Sequence, residues 1–259
     1  MCTATTRYLA DDEYRCYWSK LRGMRKAISE SLGIASGITI LDVGTGWGLF
    51  AIEIARQARR GTIIGIDIVS EEIARKTVRD ARVSDIVDIM RMDATDLSFR
   101  DNCFHLTTSF LGMRDIHMTR GEEGVERATK EMTRVTKPNG RIALTITPPE
   151  DMETEDQRIA VEVEGEVFGA RSLPKRFYTG IFKDNNVTVK EIITHYTHRK
   201  LTSNQAMTEL REGIEIARKI YLKNVPDLAD VWDRYGERIE AFGYGMYSKT
   251  VTMIGEKSD

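Results

Sequence analysis

The chain has 259 residues, with 38 Lys and Arg against 40 Asp and Glu and a formal net charge of −2, which gives no global electrostatic case for nucleic acid or an anionic membrane. That length suits one α/β domain with appendages and buries a sizeable core without a second independent domain. No apolar run approaches the ~20 residues of a membrane span, and Met1 to Arg7 lacks a signal peptide's apolar core, so a cytoplasmic protein is expected. Cys2, Cys16 and Cys103 are scattered and odd in number, and His105, His117, His195 and His198 form no ligand pattern. Neither a disulfide framework nor a metal site is expected.

In chain order, Tyr8 to Leu32 predicts one or two helices, with Tyr14, Tyr17, Trp18, Leu21 and Met24 at helical spacing. These aromatics either pack the helix onto a sheet or form a lid bordering cofactor or substrate. Strands are then predicted at Ile38 to Val43, Thr62 to Asp67, Ile86 to Arg91, Phe104 to Phe110 and Gly140 to Thr147. Helices are predicted between them at Gly48 to Arg60, Ser70 to Arg79 and Gly121 to Thr136. Strand, helix and parallel strand at this rhythm imply a doubly wound sheet. Beyond Pro148-Pro149, the acidic stretch Glu150 to Glu166 predicts a mobile helix, and Glu162, Glu164 and Glu166 are expected on its solvated face. A helix at Ser172 to Lys183, a strand at Val187 to Arg199, helix from Leu201 to Glu240 broken at Asn224-Val225-Pro226, and a strand at Gly245 to Gly255 complete the chain. His195 and His198, three apart on that strand, point to opposite faces and share no metal. One domain is expected, divided into an N-terminal helical lid (1–35), a cofactor-binding core (36–147) and substrate-side helices with the last two strands (148–259).

The segment Leu41 to Gly48, L-D-V-G-T-G-W-G, directly follows the first predicted strand, and Asp67 ends the second. Glycines in such a turn allow positive φ and let a ligand approach the backbone at a helix start. An acid at the next strand end sits where a ribose diol would be, and its two oxygens can accept from two hydroxyls. The third glycine of the dinucleotide pattern G-x-G-x-x-G is missing, because Leu49-Phe50 follow Gly48. Pyrophosphate cradling is therefore disfavoured.

The pattern D-V-G-T-G-W-G resembles motif I of the class I S-adenosylmethionine (SAM) methyltransferases. Asp93-Ala94 resembles that family's adenine-binding segment, Phe104 to Ile116 its fourth strand and loop, and Arg134 to Leu144 its fifth-strand signature with Pro138-Asn139-Gly140 as the entering turn. The stretch F-L-G-M-R-D-I is most similar to the G-x-R-N-V segment of the ubiquinone/menaquinone-biosynthesis C-methyltransferases, with Asp115 in place of the asparagine and Ile116 of the valine. Trp47 after the second glycine resembles the fatty-acid cyclopropane synthases. The resemblance spans about Ile38 to Ile146. It implies a mostly parallel seven-stranded Rossmann-like methyltransferase fold whose N-terminal and late insertions form a lid. It also implies SAM as cofactor, S-adenosylhomocysteine (SAH) as product, and a site of Asp42, Gly44, Thr45, Gly46, Trp47, Gly48, Asp67, Ile68, Asp93, Ala94 and Ser109.

Methyl transfer needs collinear positioning and no protein nucleophile. If the acceptor must lose a proton, His117 is the candidate base, against a plain surface histidine in a polar turn. Arg114 either orients an anionic substrate or braces its loop by pairing with Asp115 or Glu122. Tyr14, Tyr17 and Trp18 are candidate substrate contacts. The expected partner is a small-molecule acceptor; no N/D-P-P-Y/F/W segment follows the fourth strand, so nucleic acid is not expected, and an oligomer remains open. The rival readings are a catalytically silent SAM-binding regulatory subunit, a nicotinamide-dependent oxidoreductase and an aminopropyl transferase.

Overall fold

The apolar runs assemble as a seven-stranded sheet in the computed structural model, which describes residues 7–10, 17–58, 60–69, 71–219 and 221–259, with the backbone alone for 17–20. The strands are β1 (Arg7–Tyr8), β2 (Ile38–Val43), β3 (Gly61–Asp67), β4 (Val87–Arg91), β5 (Phe104–Phe110), β6 (Thr136–Ile146), β7 (Val187–Tyr196), β8 (Arg199–Lys200) and β9 (Lys249–Lys257). The helices are α1 (Tyr17–Ser31), α2 (Leu49–Ala58), α3 (Glu71–Asp80), α4 (Gly112–Val135), α5 (Glu155–Val167), α6 (Lys175–Asp184), α7 (Ser203–Lys219) and α8 (Leu228–Phe242). By compactness the chain divides into two units, one of 1–21, 147–174 and 194–250, the other of 22–146, 175–193 and 251–259.

The larger unit carries the sheet, in the order β4-β3-β2-β5-β6-β9-β7. Strands β2 to β6 pair in parallel, and β9 runs antiparallel to β6. This is the doubly wound, mostly parallel seven-stranded sheet that the sequence predicts. Central strands buried on both faces explain their continuous apolar runs: Ile40, Leu41, Ile63, Ile66, Ile142 and Leu144 are fully buried. Helix α1 buries Leu21, Met24 and Ile28 at helical spacing. The expected turn at Pro138-Asn139-Gly140 lies inside β6, where Asn139 takes φ of 59° and the register against β5 shifts. Bending one strand through a bulge costs less here than ending it, because Thr136 already pairs with Phe104.

The chain after Phe110 departs from expectation. The presumed loop Gly112 to Arg120 is helical, and α4 runs through a kink at Gly121 (φ 68°, ψ −170°), where the sequence predicts a helix start. His117 therefore stands on a helix and not in a polar turn.

The smaller unit holds a short parallel pair, β1 with β8, which the sequence does not predict, together with α5, α7 and α8. At the start of helix α5 the Gln157 side chain accepts from the backbone amides of Glu153 and Thr154. The helix's acidic residues form a solvated face only in part, Glu162 and Glu166 keeping 41% and 57% of their side chains exposed. Glu164 is buried, Arg238 of α8 bonds Glu155 and Glu162, and Glu166 accepts from Tyr235. An apolar stripe of Ile159, Ala160 and Val163 draws the helix inward and carries the interleaved glutamates toward α8. His198 lies beyond β7 with φ of 53°, stacked on Tyr196, so the two histidines do not share a strand. Among the described residues no helix is long and apolar enough to cross a membrane.

Candidate functional site

Three carboxylates stand at or just beyond the carboxyl ends of three adjacent parallel strands: Asp42 on β2, Asp67 on β3 and Asp93 after β4. Parallel pairing puts those ends on one edge, where ligands of open α/β sheets bind. Asp42 is opposite Gly65 in the β2–β3 register. A Cβ at Gly65 would come within 2.8 Å of Thr45 Oγ1, so that glycine makes room for the threonine.

The loop from Gly44 to Gly48 turns through three glycines with φ of 68°, 54° and 76°, which L side chains rarely adopt. Asp67 braces it: Oδ2 accepts from the Gly46 N–H at 2.8 Å and Oδ1 from the Val69 N–H at 3.0 Å. Burial raises the Asp67 pKa, while the amides of Val69, Gly46 and Ile68 hold the rise back. Trp47 projects from the loop, 51% exposed. Below the loop, Gly44 meets α4: a Cβ on Gly112 would lie 3.2 Å from Gly44 Cα and 2.9 Å from Ser109 Oγ. Ser109 itself is buried and donates to the Val43 carbonyl at 2.8 Å.

Asp42 is 1% exposed and accepts from the Thr45 hydroxyl at 2.7 Å through Oδ2, while among the described residues its buried Oδ1 has no hydrogen-bond donor. Burial, opposed by the Thr45 hydroxyl and reinforced by the charge of Asp67, pushes its pKa up to about 7. An orphaned buried acceptor beside a glycine cradle fits a ligand that brings a cationic donor, as the amino group of SAM would.

The raised pKa also fixes a stability trend. The folded form holds the Asp42 proton above the pKa of the unfolded chain, so this contribution is full in acid, falls between about pH 4 and 7, and is flat above. Between pH 5 and 8, Asp42→Asn should therefore gain stability relative to the parent by roughly 3 kcal/mol, read from urea melts without ligand. A difference independent of pH would show that Asp42 is ionised in the fold throughout.

Asp93 is held from two sides. Its Oδ1 accepts from the Thr95 N–H at 2.9 Å and the Thr95 hydroxyl at 2.8 Å, and its Oδ2 from Arg120 Nε at 3.1 Å and Nη2 at 2.8 Å. Burial opposes the charge, but these donors outweigh it and hold the carboxyl below its ordinary range. Ala94 beside it is buried.

Of the cofactor candidates, the fold brings Asp42 and Thr45, and Asp67 and the glycine loop, into hydrogen-bonded contact. Arg114 is 8% exposed, and its charge acts on Tyr178 of α6, whose pKa burial raises. His117 is half-buried on the first segment of α4. Tyr14 lies outside the described residues, and for Tyr17 and Trp18 only helical backbone is described. Sequence reasoning missed Gly65, Thr95, Gly112 and Arg120. Two glycines inside a predicted helix, Gly121 and Gly124, were the available signal for the last of these.

Comparison with known proteins places the same segment. The family described as Methyltransferase domain matches residues 41–144. A demethylmenaquinone methyltransferase of Bacteroides fragilis is 33% identical over 114 residues, covering 43% of this chain and 44% of that protein. The chain thus matches less than half the length of that curated relative. Among solved structures, a putative methyltransferase from Bacillus halodurans superposes with a TM-score of 0.64 at 17% identity, covering 90% of this chain and 99% of that one. The [4+2]-cyclase SpnF gives 0.63 at 19% identity, covering 92% and 80%. At such identities these two establish the fold alone.

Proposed function

We propose, for a chain whose residues 41–144 carry a methyltransferase domain on the class I SAM-dependent fold, that it transfers a methyl group from SAM to a small-molecule acceptor. The domain match and the relatives bear out the resemblance to that superfamily and, within it, to the ubiquinone/menaquinone C-methyltransferases. The acceptor is not carried over from them, because the likeness spans less than half of this chain.

The observation that carries the proposal is the row of carboxylates on adjacent strand ends, one of them with a buried unpartnered oxygen. Asp42 and the Gly44 to Gly48 backbone would hold the amino-acid end of the cofactor, Asp67 the ribose hydroxyls, and Asp93 with Ala94 the adenine. When bound, the sulfonium supplies an electrophilic methyl carbon for in-line displacement. The protein's part is positioning, worth up to ~7 to 11 kcal/mol of such a barrier. The loop is suited to it, since Asp67 fixes Gly46 and Gly112 fixes Gly44. His117 takes the acceptor's proton where one must leave. The buried position of Arg114 beside Tyr178 favours bracing α4 on α6 over contact with an anionic substrate.

A second reading is that the chain binds SAM without transferring its methyl group. It is favoured by the cyclase that shares this fold, since fold does not fix chemistry. Aminopropyl transfer loses its support: Glu155 and Glu162, which would hold a polyamine, are engaged by Arg238.

The melting temperature with SAM, SAH or NAD tests the cofactor. A ligand at about 100 times its Kd adds ~2.7 kcal/mol, a rise on the order of 5 to 10 °C for a chain of this size. Stabilisation by the two adenosyl sulfur compounds and not by NAD is expected. A shift with NAD alone would overturn the reading in favour of a dehydrogenase, and single-turnover assays on varied acceptors separate an enzyme from a silent binder.

A further inference from the structure

An ionised carboxylate offers about four acceptor positions, and in Asp93 all four are filled by the protein itself. Thr95 supplies two donors to Oδ1, from its own backbone amide and hydroxyl two residues along the chain. Arg120 supplies the other two, both to Oδ2. An adenine amine that is to bond Asp93 must therefore displace a donor. The Thr95 pair is a local turn closed by the chain, whereas Arg120 reaches in from α4 and its side chain is 42% exposed. Arg120 is the donor that yields.

Its placement is built into the helix. Gly121 takes the left-handed φ that kinks α4 just after Arg120, and a Cβ on Gly124 would stand 2.1 Å from Arg120 Cβ and 3.3 Å from its Cγ. In an unbroken helix, side chains four residues apart are well separated at Cβ. The kink brings the two positions together, and the absence of a side chain at Gly124 leaves Arg120 its space.

We infer that Arg120 is a specificity-determining latch on the adenine subsite, closed on Asp93 in the free protein and displaced by the exocyclic amine of an adenosyl ligand. The inference rests on the cofactor reading above. When the latch opens, Asp93 accepts from the amine while Thr95 keeps the carboxylate oriented. A ligand with a carbonyl at the same position of the purine leaves the latch closed and accepts from the guanidinium instead. Arg120 therefore narrows the preference for adenine over hypoxanthine, and removing it widens that preference.

Titration calorimetry of the full chain with SAH, and with S-inosylhomocysteine as the carbonyl counterpart, tests this at about 50 and 500 mM salt. SAH carries no net charge at neutral pH, so its affinity has little salt dependence of its own, while an exposed ion pair weakens on screening. SAH should bind the parent about twofold to fivefold more tightly at high salt. Arg120→Ala should bind SAH more tightly than the parent at low salt by about the same factor, lose the salt response, and bind the inosyl compound more weakly. Equal or weaker SAH binding by Arg120→Ala, with its melting temperature unchanged, overturns the latch and leaves the cofactor reading standing. Absence of SAH binding by both parent and variant overturns the cofactor reading and the latch together.

Discussion

Asp67→Ala is expected to weaken SAH binding by roughly 2 to 3 kcal/mol, a factor of about 30 to 150, because charged hydrogen bonds to the ligand and to the loop are lost at once. The Asp67 carboxylate is a shared support. One oxygen holds the Gly46 amide and the other the Val69 amide, the Ile68 amide also acts on the carboxylate, and the acceptor capacity left over is open to a ribose hydroxyl. Removal therefore takes away the ligand contact and frees the turn that meets the amino-acid end of the cofactor. Asp67→Asn, with the same shape and one remaining carbonyl acceptor, should recover part of the loss. An affinity unchanged in Asp67→Ala would sink the ribose assignment. A fall in affinity for adenosine equal to that for SAH would assign the whole effect to the ribose and none to the loop.

Gly112→Ala is expected to have the largest effect on stability. The added methyl would meet Ser109 Oγ at 2.9 Å, the Val43 carbonyl oxygen at 3.1 Å and Gly44 Cα at 3.2 Å. Two of these are backbone atoms of β2 and the glycine loop and cannot rotate away. The third belongs to a buried hydroxyl whose bond to Val43 would break as it moved. Overpacking at ~1 to 3 kcal/mol plus one buried hydrogen bond of about 1 kcal/mol gives a loss of roughly 2 to 4 kcal/mol. At about 2 to 4 °C per kcal/mol, the melting temperature should fall by on the order of 5 to 15 °C. Gly180→Ala on α6, where none of the described residues lies within 4 Å, is the control and should not lower it, the helix gaining up to about 1 kcal/mol. A Gly112→Ala protein that melts with the parent would show that α4 can slide from the loop without cost. The close approach of Gly44 and Gly112 would then not be what fixes the floor of the site.

The sheet and the glycine loop at its edge were legible in the sequence for a local reason. A strand buried on both faces must be a continuous apolar run, and a turn that needs positive φ must be rich in glycine. Ile38 to Val43 runs directly into the loop from Gly44 to Gly48, and Asp67 and Asp93 each lie within two residues of an apolar run. Parallel pairing then puts their ends on one edge. The partners of the α5 glutamates were not legible, because a helical wheel shows which residues are polar and not what stands opposite them. Arg238 and Tyr235 lie far along the chain on α8 and could not be foreseen there.

What the sequence by itself determined is the order of the elements and the positions of Asp42, Asp67 and Asp93 at strand ends, since these follow from local periodicity and chain direction. The tertiary structure decided the protonation of Asp42, the contact of Gly44 with Gly112 and the pairing of Asp93 with Arg120. Each of these depends on distances across the fold: burial sets the solvation of a carboxylate, backbone approach sets the room for a methyl group, and a helix kink sets the reach of a guanidinium. Such distances are fixed by packing between elements, which local sequence patterns do not encode.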